Sequence, residues 1–135
     1  ITEEEVKAAR EVTAETIEAL LKASVLTTPT GKQNTFAAHQ LPAAVLVEVR
    51  PYATPVSYAN AFVKPVFAKR DSDLVTESLN KLGEHVKVIT SGFNLESTAR
   101  LLLAPEHPEF AIDGVERVAD LAALSSQVKG VILNG

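Results

Sequence analysis

The sequence predicts an α+β fold whose elements run helix, strand, helix, strand, helix. Three observations predict it. A long amphipathic pattern at helical spacing opens the chain, an alternating apolar run bracketed by prolines follows, and two further helical patterns flank a second short apolar run. At 135 residues and 14.4 kDa, one domain is the expectation. Two strands are too few for a complete sheet. The chain therefore reads either as a piece whose strands pair with earlier parts of a longer protein, or as a compact partial layer.

The first helix is expected over Thr2 to Leu26. Thr2 and Glu5 have the spacing of a capping box, and Glu3, Glu4 and Glu5 sit in the first turn, where the helix dipole favours anions. Val6, Ala9, Thr13, Ile17, Leu20, Leu21 and Ser24 fall on one stripe, which is expected to face the core. Pro29 and Gly31 end the pattern. The first strand is expected over Ala43 to Arg50, with Val45, Val47 and Val49 on one face and Ala44, Leu46, Glu48 and Arg50 on the other. Pro42 and Pro51 bound it, since proline cannot donate to a ladder. Residues 52–66 read as loop with a helical turn at Ser57 to Phe62.

A second helix is expected from about Ser72 to Ile89, capped by Asp71 or Ser72, with Val75, Leu79, Leu82, Val86 and Ile89 on its buried face. Gly92 and Asn94 mark a turn, and Thr98 to Ala104 reads as a strand stopped by Pro105. Asp113 and Glu116 have capping-box spacing, which predicts a third helix from there to about Lys129, burying Val115, Val118, Leu121, Ala122 and Val128 and stopping at Gly130.

Composition excludes several functions. Without cysteine there is no disulfide, thiolate metal site or thiol nucleophile, and three scattered histidines give no ligand spacing. No metal site, cofactor or catalytic residue is therefore expected. No apolar run reaches the ~20 residues of a membrane span, and the acidic start is unlike a signal peptide, so a cytoplasmic location is expected. A formal net charge of -4 argues against a free-standing non-specific nucleic-acid binder. The chain has no methionine and opens directly at a helix cap, which reads as an excised piece of something longer.

The richest chemistry lies in Pro29-Thr30-Gly31-Lys32-Gln33-Asn34-Thr35-Phe36-Ala37-Ala38-His39. A nucleotide-binding enzyme using Gly31-Lys32 is the less favoured alternative, because Leu26 stands where the first glycine of a P-loop belongs, Gln33 stands where its hydroxyl belongs, and a helix precedes where the motif needs a strand. Lys32 supplies a point charge, and Gln33, Asn34 and Thr35 supply donors, a set that grips phosphate and sugar without reading bases. His39 closes the loop, either bonding backbone or contacting the ligand. The bland alternative for the whole run is a polar turn leaving a helix. Lys64, Lys69 and Arg70 read as a solvated loop or as a second phosphate or subunit contact. His85 reads as a solvated surface residue and His107 as a loop residue.

Two motifs carry a resemblance. Thr28 to His39, followed by a strand and then by Ser57-Tyr58-Ala59-Asn60-Ala61-Phe62-Val63-Lys64-Pro65-Val66, resembles the CasC-type backbone subunit of type I-E CRISPR Cascade complexes, of the RAMP superfamily, over about residues 2–67. The resemblance implies a partial ferredoxin-like, RRM-like palm whose earlier strands are missing, the C-terminal part of a longer subunit. It implies a non-catalytic protein that stacks head-to-tail along crRNA, contacts other Cascade subunits, and meets target DNA only through the assembled complex. On that account Lys32, Gln33, Asn34, Thr35 and His39 form the RNA-binding set, Phe36 anchors the loop, and Asn60 and Phe62 are scaffold or subunit contacts.

Overall fold

A computed structural model describes residues 1–27, 41–53 and 55–135. Among these, the elements are helix α1 (Glu3–Leu26), strand β1 (Val45–Val49), a 3-10 turn (Ala59–Phe62), helix α2 (Leu74–Gly92), strands β2 (Ala99–Leu103) and β3 (Glu116–Arg117), and helix α3 (Leu121–Asn134). They form an α+β fold with a small mixed sheet of order β1-β2-β3, antiparallel between β1 and β2 and parallel between β2 and β3. The register sets Val47 opposite Leu101 and Leu102 beside Arg117.

Two cores lie on opposite faces of the sheet. Period-two alternation sends Leu101 and Leu103 to one side, with Val118, Leu124 and Val128 and the half-buried Val45, Val47 and Val49. Leu102 and Ala104 face the other side, with Leu79 and Val86 of α2 and Phe110 and Ile112. The β2 leucines are thus covered on both faces, whereas every β1 residue is only half covered.

The first helix begins as expected, with the Thr2–Glu5 capping box formed in both directions. Its buried line shares only Leu21 with the expected stripe. Ala14, Leu21 and Val25 pack inward with half-buried Glu18, whose carboxylate meets Lys129 of α3 at 3.9 Å. Val6, Thr13 and Leu20 remain exposed, Leu20 at 64%. The expected stripe lies roughly 100° round the helix from the buried line, at 3.6 residues per turn. The helix thus has two apolar directions, and α3 occupies one of them.

Asp73, rather than Asp71 or Ser72, caps α2, accepting from Thr76 N at 2.7 Å. Beyond the helix Asn94 takes φ 51, and the Leu95 N–H reaches back to Thr90 O at 3.0 Å in a Schellman-like closure. The expected third helix from Asp113 is a correction. Asp113 and Gly114 form a tight turn closed by Val115 N donating to Ile112 O at 3.0 Å, with Gly114 at φ 79. Asp113 pairs with Lys87 at 2.9 Å instead of capping. Glu116–Arg117 is a strand, and Asp120 caps the helix by accepting from Ala123 N at 2.7 Å. Val115 and Val118 are still covered, but from the loop and strand side, while Ala122 is exposed and Gly130 lies inside α3.

Arg117 explains why two residues of β3 suffice. Its guanidinium donates from Nη1 to His107 O at 3.0 Å and to Phe110 O at 2.5 Å, and from Nη2 to Ala104 O at 3.0 Å. One side chain therefore ties down the irregular crossover between β2 and β3.

Candidate nucleic-acid interface

Lys32, Gln33, Asn34, Thr35 and His39 all lie outside the described residues, as does Phe36. The described structure fixes where their segment is anchored. It leaves α1 at Thr27, whose N–H donates to Ala23 O at 2.9 Å, and returns at Leu41 and Pro42 into β1.

The second motif is described apart from its surroundings at Thr54. The Ala59 N–H donates to Ser57 Oγ at 3.2 Å, which starts the 3-10 turn. Ala61 is buried under it, while Asn60 and Phe62 are exposed, Phe62 at 46%. Tyr58 reaches inward. Its hydroxyl donates to Glu48 and accepts from Arg50 Nη2 at 3.0 Å. Burial, then the bond to Glu48, pushes the phenol pKa above its ordinary value, so it is a neutral donor at physiological pH.

Glu48 is the hub of this group. Arg50 Nη2 donates to it, Ser97 Oγ donates at 3.4 Å, and Arg100 Nε stands 3.6 Å from Oε1. Arg100 also donates from Nη2 to Leu95 O at 2.7 Å. Two guanidiniums therefore share one carboxylate, all largely shielded from solvent. Sequence reasoning read Glu48 and Arg50 as one face of a strand and did not join them to Tyr58 or Arg100. The available signal was a charged pair at i, i+2, which sets both side chains on one sheet face.

His85 departs from its expected solvated position. It is half-buried and meets the Tyr58 ring edge-on, with centroids 6.3 Å apart. His107 lies in a loop as expected, with its carbonyl held by Arg117. Of the basic residues, Lys69 pairs with Glu77 at 3.4 Å, and the Lys64 carbonyl accepts from Lys81 Nζ at 3.0 Å. Among the described residues no cluster of histidine or carboxylate ligands can hold a metal, and no helix is long and apolar enough to cross a membrane.

This is an α+β fold, a partial ferredoxin-like arrangement that presents a half-buried Arg-Glu-Arg-Tyr group at β1, the edge strand among the described residues. Residues 3–129 match the family described as CT1975-like protein, and the chain belongs to that family. Among solved structures, one chain of a "CRISPR RNA-guided surveillance complex, pre-nicking" is similar at TM-score 0.73 and 23% identity, over 89% of this chain and 32% of that one. A chain of a "CRISPR RNA-guided surveillance complex" is similar at TM-score 0.70 and 23% identity, over 88% of this chain and 45% of that one. The chain thus spans under half the length of either solved chain. A search of curated proteins gives no match.

Proposed function

We propose that this chain is part of a non-catalytic backbone subunit of a Cascade-type CRISPR surveillance complex, of the CasC type within the RAMP superfamily. The observation that carries the proposal is the recurrence of its fold in chains of two RNA-guided surveillance complexes, together with family membership over residues 3–129. Copies stack head-to-tail along crRNA in the cytoplasm, a heterologous contact that propagates instead of closing. The protein holds the guide by sugar and phosphate, so that pairing with target DNA reads sequence. Lys32, Gln33, Asn34, Thr35 and His39 are the proposed guide contacts, and Lys32 supplies the charge.

The test is co-expression of the intact parent with guide RNA and partner subunits, followed by nuclease treatment. A protected RNA is expected to copurify. Lys32→Glu should lower its retention and shift its loss to lower salt. Retention unchanged in that variant would refute the assignment of the loop. A plain protein-interaction module is the second reading, favoured by the exposed Val6, Val12 and Leu20 of α1. Assembly with partner subunits but no protected RNA would establish it instead.

A further inference from the structure

The group around Glu48 holds one positive charge more than it balances. Arg50 and Arg100 face one carboxylate, and the raised phenol of Tyr58 contributes no charge. Taking charge out of water is costly unless it is paired and hydrogen-bonded. One buried side-chain atom without a hydrogen-bond partner, Arg100 Nε, borders this group. Arg50 spends Nη2 on Glu48 and Tyr58, and its Nη1 and Nε find no partner among the described residues. A cleft of about 300 Å³ opens beside them, lined by Leu46, Glu48, Arg50, Pro55, Val56 and Tyr58.

We infer that this cleft is an oxyanion site, with Arg50 as its fork and Tyr58 as its wall, and that its ligand is a singly charged phosphodiester. The charge of the group matches: Arg50 and Glu48 line the cleft, Arg100 reaches Glu48 from outside that lining, and two guanidiniums less one carboxylate leave one positive charge to meet the one negative charge of a phosphodiester. The geometry matches too, because a guanidinium presents parallel donors that suit phosphate oxygens. Leu46, Pro55 and Val56 give the cleft apolar walls, which lower the local dielectric and strengthen the pairing. Choosing a phosphodiester over a carboxylate rests on the nucleic-acid reading proposed above; the oxyanion site itself does not.

Dimethyl phosphate is the probe, a phosphodiester with no base or sugar, titrated at constant ionic strength and followed by the amide and guanidinium resonances of this chain. Saturable shifts at Arg50 and Tyr58 are expected. Arg50→Gln should weaken binding about tenfold or more, the loss of a charge-assisted fork. Glu48→Gln should tighten it several-fold, because the competing carboxylate is gone. That opposite sign keeps the test decisive if Arg50→Gln fails to fold. A short single-stranded oligouridylate should displace the probe. No saturable shift, weaker binding in Glu48→Gln, failure of the oligonucleotide to compete, or acetate binding as tightly as dimethyl phosphate would each overturn the inference.

Discussion

Replacing Arg117 by methionine removes the one side chain that holds three carbonyls of the crossover between β2 and β3, those of Ala104, His107 and Phe110. Hydrogen bonds from a charged donor contribute about 1.5–3 kcal/mol each in favourable cases. The three are not additive, because two share Nη1 and the half-buried crossover readmits water at its exposed positions. Methionine keeps the aliphatic packing of the arginine stem. The expected loss is therefore about 2–4 kcal/mol, below the sum of three such bonds. For a chain of 135 residues this lowers Tm by roughly 6–15 °C, by interpolation between smaller and larger domains. Thermal denaturation followed by circular dichroism measures it. Arg117→Lys is the control: it keeps the charge but cannot span three acceptors, so it should recover less than half of the loss. A Tm within about 1 °C of the unaltered chain would refute the clamp.

Leu102 is fully buried between β2 and α2, so Leu102→Ala should cost about 2–5 kcal/mol in urea denaturation, with an unchanged m-value. Asp120→Ala should cost about 1 kcal/mol through the lost cap of α3, while Asp113→Ala should leave α3 intact, which distinguishes the observed helix start from the one the sequence suggested. The Asp73 carboxyl is held below its ordinary range, first by the Thr76 backbone N–H and then by the Thr76 side chain. A depressed folded-state pKa gives stability that is present above the unfolded value of about 3.9 and is lost as pH falls through the folded value. Asp73→Asn should therefore flatten the acid limb of the stability curve below about pH 4, read by denaturation at stepped pH.

The parts of the fold written in local chemistry were legible from the sequence. The Thr2–Glu5 box, the Pro42 and Pro51 brackets and the heptad-like spacing of Leu79, Leu82 and Val86 each specify their element without help from distant residues. The errors arose where tertiary contacts decide. Asp113 and Glu116 have capping-box spacing, but Gly114 at φ 79 and the Lys87 ion pair turn the first into a turn residue, and pairing with Leu101 turns the second into a strand. A strand of two residues leaves no periodic signal. The buried line of α1 was misplaced because it runs through Ala14 and Val25, shares only Leu21 with the expected stripe, and leaves the rest of that richer apolar stripe uncovered. The Glu48 group was invisible for another reason: its members come from β1, the segment before the 3-10 turn, and β2, and nothing in their spacing announces that they meet.

The pairing of β1 with β2 also governs how the chain comes to fold during synthesis. Val47 meets Leu101, so 54 residues separate the partners (101 − 47) and α2 lies between them. At about 5–20 residues per second, β1 waits roughly 3–11 s on the ribosome before its neighbour has been made. Through that interval the strand lacks its β2 partner, and the charged Glu48 and Arg50 within and just after it disfavour pairing with another nascent chain.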